Sequence, residues 1–443
     1  MMTPPSLSTA LRYWLKLGFI SFGGPAGQIA LMHAELVERR RWISEQRFLH
    51  ALNYCMLLPG PEATQLAVYI GWLLHRARGG ILAGTLFVLP SLLILIGLAW
   101  IYLAFGDVPA IAAVLYGIKP AVVALVLAAT WRIGRRTLKN GVLAGLAGTA
   151  FLAIVLGLPF PAVVLAAAVI GWFGGRLRPA SFAPGSPGHG KASASREPAV
   201  IDDDTPTPPH ARFSWGKLLA ASATGIGLMA ASWLLVAALT GVRDPLAQMG
   251  WFFTKAALLT FGGAYAVLPY VYQGGVETHG WLTPAQMIDG LALGETTPGP
   301  LIMVNAFVGF VGGWTHQVLG HPAVSGVAGA VVAAWFTFVP SFIFILAGGP
   351  LVEATRGNIR MTAPLTAISA AVVGVIASLA VFFGEHVFFA GAHPDWAALA
   401  IAAAAAWALL RWQTGPVKLL AACAMAGLVL HYAKGINALV QVI

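Results

Sequence analysis

Two lysines, Lys16 and Lys255, lie inside apolar stretches, and each stands six residues before a Phe-Gly-Gly triplet. The triplets are Phe22-Gly23-Gly24, which Pro25 follows, and Phe261-Gly262-Gly263. A lysine at the centre of a bilayer costs roughly 2.5 to 3.5 kcal/mol on insertion scales, so it is expected to be paired, functional or extended to the headgroups. Because the arrangement occurs twice, we predict that the two cations approach one axis and bind a dianion.

A second kind of helix breaker also occurs twice, as Pro59-Gly60-Pro61 and Pro298-Gly299-Pro300. Broken backbone at membrane depth is tolerated where it is buried in protein or lines a watery cavity. A half-helix that begins after a break presents free N–H groups, which stabilise a nearby anion by about 0.3 to 2 kcal/mol. The four breaks therefore predict a shared anion site, with candidate hydrogen-bond donors at Gln28, Gln65, Thr297 and Asn305.

Three further charged residues lie near the breaks or within apolar segments. Glu62 follows the first Pro-Gly-Pro triplet and Glu295 precedes the second. Each could carry a coupling proton or form a structural ion pair. Lys119, which precedes Pro120, could bind substrate or pair with an acid such as Glu62 or Glu295. The sequence leaves these alternatives open.

The composition identifies the elements that must position these residues. Of the 443 residues 58% are hydrophobic and 9% are charged, whereas soluble proteins have about 25% charged residues. Apolar runs near the ~20 residues that cross a bilayer recur, as at 81–102 and 218–239. We predict an all-α polytopic membrane protein. The net charge of +10 lies in short loops, which indicates positive-inside topology rather than nucleic-acid binding.

Enzyme and cofactor signatures are missing from the sequence. There is no Walker A or HExxH motif and no paired Cys/His cluster. Cys55 and Cys423 lie in apolar segments and are expected to be buried free thiols. We therefore expect no catalytic residue, cofactor or metal.

The chain is a tandem duplication. Lys16, both kinds of breaker and Trp42 recur 239 positions later, and Val88-Leu89-Pro90-Ser91 matches Phe338-Val339-Pro340-Ser341 at 250. The predicted units are a first repeat at 1–175, a disordered linker at 176–216, a transmembrane helix at 217–241 and a second repeat at 242–443. One unpaired helix between two six-segment repeats inverts the second, a plan typical of secondary transporters.

Loop charges predict the orientation. The loops at 132–139 and 176–217 carry four and six Lys or Arg, so the amino terminus and the linker are expected in the cytoplasm. The arginines at 39–41, 47, 76 and 78 are also predicted to be cytoplasmic if the first two segments turn back at their breaks. This favours re-entrant hairpins over thirteen full spans.

The duplicated Lys and FGGP, a tryptophan eighteen residues after Gly24, and LPGP followed by Gln65-Leu66-Ala67 and Tyr69-Ile70-Gly71 resemble the chromate ion transporter (CHR) family in its long-chain, ChrA-type form. The resemblance covers both halves. It implies a bacterial inner-membrane protein that exports chromate, driven by the proton motive force or the membrane potential, and confers chromate resistance. The second repeat departs from the pattern, with Ala264 in place of Pro25 and Val304 in place of Gln65.

Alternatives remain at this level. Sulfate shares the charge and shape of chromate, so the uptake or exchange of sulfate or another oxyanion is a second interpretation. A passive anion channel is a third. Protons as coupling ions and a homodimeric assembly are left open.

Overall fold

The computed structural model describes residues 4–440 apart from Gly23, Asp107, 183–197, Gly262, 355–362, 390–392 and Gln413. Regular structure in these residues consists of helices, with one isolated β-bridge between Ile43 and Ile201. The prediction of an all-α membrane protein is confirmed. Both cysteines are free and buried, as expected.

The first repeat contains α1 to α7, and α2 continues as a π-helical turn over Ala34–Arg39. The fourth helix is interrupted at His75 and Arg76, whose φ angles are −134° and 57°. It therefore has a first part at residues 62–74 and a second part at residues 77–105. The helices are α1 Leu7–Ile20, α2 Gly24–His33, α3 Glu45–Cys55, α4 Glu62–Phe105, α5 Pro109–Thr137, α6 Gly141–Val155 and α7 Phe160–Leu177.

The second repeat has the same order of elements after a connecting helix, α8 Trp215–Thr240. A π-helical turn, Gln273–Thr278, again follows its second helix. The two parts of α4 correspond here to α12 and α13. The helices are α9 Pro245–Leu259, α10 Ala264–Tyr272, α11 Pro284–Thr296, α12 Val304–His316, α13 Pro322–Ala354, α14 Ala363–Phe388, α15 Trp396–Arg411 and α16 Pro416–Val440.

Seven helices of the described residues are long and apolar enough to cross a membrane: α4, α5, α7, α8, α13, α14 and α16. The short helices beside the breaks are different. At 1.5 Å per residue, α1 with 14 residues and α10 with 9 residues are shorter than a hydrocarbon core of about 30 Å. Such helices reach only part of the way across.

Small residues allow the helices after the breaks to fold back closely. A Cβ on Gly71 would lie 2.5 Å from that of Ala83, so the two parts of α4 pack against each other. In the second repeat a Cβ on Gly309 would lie 2.7 Å from that of Ala333, which joins α12 to α13 in the same way. Close backbone approach through small residues is the usual basis of helix packing in membranes. Helices α4 and α13 also contact each other, which joins the two repeats.

The structure differs from the prediction of a disordered linker over residues 198–212. Ile201 pairs with the loop before α3, because its N–H donates to the Trp42 carbonyl at 3.1 Å and its carbonyl accepts from the Ser44 N–H at 2.9 Å. Further along, the His210 ring packs edge-on against Trp72 with ring centroids 5.3 Å apart. This part of the linker is docked on the first repeat, while residues 183–197 lie outside the described residues.

Candidate functional site

The helix breaks of the two repeats contact each other crosswise. The Gly299 N–H donates to the Ser21 carbonyl at 2.7 Å, and the Gly60 N–H donates to the Thr260 carbonyl at 2.8 Å. Both pairs of equivalent residues, 21 with 260 and 60 with 299, are separated by the same 239 positions. Reciprocal contacts of this kind are the signature of a two-fold relation between two similar units. We call residues 21–24, 59–61, 260–263 and 298–300 the crossed breaks.

The Pro-Gly-Pro sequence explains this backbone geometry. Proline lacks an N–H, so the glycine supplies the only backbone donor of each triplet. Gly60 and Gly299 have φ angles of 119° and 99°, which glycine adopts without steric cost. A Cβ on Gly60 would clash with Ser341 Oγ, and one on Gly299 would lie 2.7 Å from the Cβ of Ser91. Each glycine therefore fits tightly against a serine of the other repeat.

Two amide side chains of the first repeat reinforce the crossing. Gln28 Nε2 donates to the Gly299 carbonyl at 2.5 Å, and Gln65 Nε2 donates to the Pro59 carbonyl at 2.8 Å. Both side chains are fully buried. Their Oε1 atoms have no hydrogen-bond partner among the described residues. The structure thus brings both predicted glutamines to the crossed breaks.

Buried hydroxyl groups at the same place also lack partners. Thr64 Oγ1 and Ser91 Oγ make no hydrogen bond within the described part of the chain. The Asn305 amide donates to Thr337 Oγ1 at 3.1 Å, whereas the Thr297 hydroxyl donates to the Gly294 carbonyl at 2.9 Å and helps to end α11. Buried polar groups are nearly always hydrogen-bonded, so each exception requires an explanation such as a bound solute or water.

Helix ends add a positive potential. Helices α2 and α4 begin at the crossed breaks of the first repeat, α10 begins at a break of the second, and α12 begins after one 3₁₀ turn, Leu301–Met303. The first N–H groups of an α-helix have no partner within the helix, and its amino-terminal end carries a partial positive charge. The region therefore combines hydroxyl and N–H donors that favour an oxyanion.

The remaining predicted residues of the breaks have different surroundings. Pro61, Pro298 and Pro300 are buried, and Pro59 is half-buried. Phe22 is exposed, while Gly24, Pro25, Phe261 and Gly263 are partly buried. Gly23 and Gly262 lie outside the described residues. Helices α2 and α10 begin beside these residues, at Gly24 and Ala264.

The structure does not bring Lys16 and Lys255 together as buried groups at the crossed breaks, and their role as anion ligands stays a prediction. Both side chains are exposed. On α1 the buried face is formed by Trp14 and Leu17, so Lys16 projects away from the crossed breaks. On α9 the Lys255 Nζ lies 5.8 Å from the ring centroid of the exposed Trp251. Lys16 and Lys255 are near the breaks in the sequence. Both side chains, however, lie on the exposed faces of their helices.

Glu62 and Glu295 are both close to the carboxyl-terminal end of α5. Glu62 is 9% exposed in the first turn of α4, and the charge of Arg136 acts on it. Glu295 accepts a hydrogen bond from the Tyr265 hydroxyl, and the charge of Arg132 acts on it. The two arginines are one helical turn apart on the same helix. The arginine charges that act on the two acids therefore come from one end of α5.

Lys119 pairs with neither of these acids. Its Nζ lies 3.4 Å from Asp289 Oδ2, which also accepts a hydrogen bond from the Tyr102 hydroxyl at 2.8 Å. Asp289 is 2% exposed and lies in the middle of α11. Asp289 was not among the residues predicted from the sequence, although an acid within the apolar stretch Met287–Leu293 was a detectable signal. Ser91 and Ser341 were also missed, although their repeat match was visible.

A second buried ion pair joins α3 to α13. Arg47 Nη1 lies 3.9 Å from Glu353 Oε2, and the Tyr69 hydroxyl donates to Glu353 Oε1. The Thr205 carbonyl of the docked linker accepts a hydrogen bond from Arg47. This cluster links the linker to the membrane helices, and both carboxylate oxygens of Glu353 are engaged.

Comparisons with known proteins agree with the repeat structure. A family model described as chromate transporter matches residues 9–172 and again residues 247–428. A chromate transport protein from Pseudomonas aeruginosa is 34% identical over 382 residues, covering 84% of this chain and 80% of its own. One from Cupriavidus metallidurans is 29% identical over 384 residues, covering 86% of this chain and 83% of its own.

A probable chromate transport protein from Synechococcus elongatus is also 29% identical, over 386 residues, and covers 86% of this chain and 85% of its own. No solved structure matches this chain.

Proposed function

This chain belongs to the chromate transporter family, and on that premise we propose that it carries chromate across the bacterial inner membrane as a secondary active transporter. The crossed breaks are the proposed binding site. The single observation that supports this choice is the reciprocal pairing of Gly60 with Thr260 and of Gly299 with Ser21. It joins the two duplicated halves at the point where their helices are interrupted.

The chemistry of the site suits a tetrahedral dianion. Chromate presents four oxygen acceptors, and the unpartnered hydroxyls of Thr64 and Ser91 are able to donate to them. Backbone N–H groups at the starts of α2, α4, α10 and α12 add donors without placing a full positive charge in the protein interior. Because the site lacks a full positive charge, it can release the oxyanion again, as a carrier must.

We further propose that the second repeat is inverted relative to the first. The two-fold crossing and the single connecting helix α8 both support this arrangement. In transporters with inverted repeats, alternating access arises when one bundle rocks against the other around a fixed site. The short helices α1, α2, α9 and α10, which carry the Phe-Gly-Gly breaks, are the proposed moving parts.

The membrane potential favours export of a dianion. Moving one charge through 100 mV is worth about 2.3 kcal/mol, so a dianion leaving a negatively charged cytoplasm gains about twice that. Export from the cytoplasm would confer chromate resistance, with the amino terminus and linker on the cytoplasmic side. Proton coupling is a further part of the proposal. A buried carboxyl near the breaks is the kind of group at which such a proton could bind.

The decisive experiment measures chromate uptake into everted membrane vesicles with and without a proton ionophore. Concentrative uptake that the ionophore abolishes supports a coupled exporter, whereas purely passive flux would identify a channel. The same vesicles with excess sulfate test selectivity. Chromate uptake that excess sulfate abolishes would show that the site recognises tetrahedral dianions in general.

A further inference from the structure

We infer that Asp289 is the site at which the coupling proton binds, with Lys119 as its releasable counter-ion. The inference rests on the proposed transport function and deepens it, because it names the group that would link anion movement to the proton gradient. The three participating side chains come from α4, α5 and α11, so the site joins the first repeat to the second.

The two oxygens of the Asp289 carboxylate have different surroundings. Oδ2 lies 3.4 Å from Lys119 Nζ and accepts the Tyr102 hydroxyl at 2.8 Å. Oδ1 is buried and has no hydrogen-bond partner among the described residues. A buried oxygen of an ionised carboxylate without a partner is costly, so it marks a place where a proton can be accepted. One oxygen holds the carboxyl in position while the other remains available.

Proton binding changes the charge at this site in a defined way. One proton added to the carboxylate gives a neutral carboxyl, and the Lys119 ammonium then loses its counter-charge. The Lys119 side chain is 30% exposed, so its charge becomes available to an approaching anion. In a low-dielectric interior an uncompensated ammonium is unfavourable, so protonation and anion binding favour each other. One proton would then leave the cytoplasm with each dianion, and the membrane potential drives the remaining negative charge outward.

Few other charged groups act on the Asp289 carboxyl. Helix α11 packs against α4, α5, α12, α14 and α16. Among the described residues, Lys119 on α5 and Tyr102 on α4 are the groups that act on the Asp289 carboxyl. Within the described side chains the site thus consists of one acid, one base and one hydroxyl.

The position of Asp289 also connects it to the crossed breaks. Helix α11 ends at Thr296, and Thr297 begins the segment that leads into Pro298-Gly299-Pro300. Eight residues at 1.5 Å each separate Asp289 from Thr297, a distance of about 12 Å along the helix. A shift of α11 when the ion pair breaks is therefore transmitted directly to a Pro-Gly-Pro triplet.

Glu353 provides a matched contrast. It is also a buried acid next to a cation and a tyrosine, but both of its oxygens are engaged, by Tyr69 and by Arg47. Its cation is an arginine, which does not lose its proton in proteins. Glu353 therefore has the features of a structural ion pair, and E353Q is the control variant.

The test uses the full chain in proteoliposomes and measures exchange of labelled chromate at matched internal and external pH. Rates are expressed per concentration of the chromate dianion, because chromate itself takes up a proton in the same range. On that scale we expect the wild-type rate to change by about tenfold or more between pH 6 and pH 8, as for one titrating group. D289N should be nearly independent of pH, with a change below about twofold, whatever its absolute rate. E353Q should keep the wild-type profile.

Two further variants test the inference in case D289N does not fold. The double variant D289N/K119Q removes both charges together, and its exchange should be independent of pH. Y102F removes a hydrogen bond that favours the ionised carboxylate, so its pH profile should move upward by about half a unit or more. The inference is overturned if D289N or the double variant keeps the wild-type profile, or if Y102F leaves it unmoved.

The two proposals fail separately. If the wild-type protein exchanges no chromate, the proposed function is wrong, and the inference fails with it. If it exchanges chromate at the same rate at every pH, the inference alone is wrong.

Discussion

The two crossings of the helix breaks have the same backbone and different side chains. Gly299 meets Ser21 and Gly60 meets Thr260 through equivalent N–H to carbonyl bonds of 2.7 and 2.8 Å. The first repeat has buried amides at Gln28 and Gln65, whereas the equivalent residues of the second repeat are Val267 and Val304. The second repeat has a buried amide at a different position, Asn305. The two halves therefore share the backbone frame of the site and differ in the polar side chains beside it.

The two Phe-Gly-Gly breaks likewise have similar backbone and different side chains. Pro25 stands in the first turn of α2, and Ala264 begins α10 in its place. Helix α10 nevertheless starts again directly, because Gly263 has a φ angle of 106°, as Gly24 has one of 71°. Proline at the start of a helix saves conformational entropy but is not required for the turn. The missing proline therefore leaves the crossing intact.

The largest effect should come from changing the shared backbone. G60A and G299A each place a Cβ on a left-handed residue in contact with a serine. We expect each to reduce chromate transport by about 100-fold and thermal stability by about 2 kcal/mol, from strain and overpacking together. Vesicle uptake and melting of the purified protein measure these changes.

The matched control is G241A, at a residue with a φ angle of 103° where an added Cβ would meet no atom within 4 Å. G241A introduces backbone strain without overpacking. Equal losses in G60A and G241A would show that the tight fit against Ser341 is unimportant.

The next effect should come from making the first repeat resemble the second. Q28V and Q65V remove the amides that hold Gly299 and Pro59. Each leaves a buried carbonyl with fewer partners, a loss of about 1 to 3 kcal/mol, so we expect about a tenfold or larger fall in transport. Q248V, at a glutamine that bonds the Arg243 carbonyl on the surface, is the control. Unchanged uptake in both Q28V and Q65V would refute a special role for the first repeat.

A smaller and more specific effect is expected at Ser91. Its Oγ has no partner among the described residues, so S91A should change the free energy of unfolding by no more than about 0.5 kcal/mol. If the hydroxyl binds chromate, the KM for transport should rise by about three- to tenfold. S232A, at an exposed serine bonded within α8, is the control. A loss of stability without a change in KM would identify Ser91 as a packing residue.

The smallest effect should come from the lysines. K16Q and K255Q change exposed side chains remote from the buried donors, so we expect less than about a threefold change in uptake, reduced further by salt. A loss of 30-fold or more in either variant would restore the lysines as ligands of the anion.

Much of the fold could be predicted from local properties of the sequence. Hydrophobic length predicted the membrane helices, and the 239-residue register predicted which segments are equivalent. Glycine and proline chemistry located the breaks, because the need for a left-handed φ or a missing N–H is a property of single residues. Gln28 and Gln65 are close to these breaks in the sequence, and in the structure both side chains bond to residues of the breaks.

Tertiary structure decided the contacts between distant segments. Ser21 and Gly299 are 278 positions apart and Lys119 and Asp289 are 170 apart, and no spacing rule within one helix predicts such pairs. Hydropathy does not specify which face of α1 or α9 packs inward, so the exposure of the two lysines could not be predicted. The contacts of Ile201 with Trp42 and Ser44 could not be predicted either, because they join segments far apart in the sequence. Composition and spacing thus predict the class, the duplication and the breaks, whereas the choice of which breaks meet depends on complementary surfaces of separate helices.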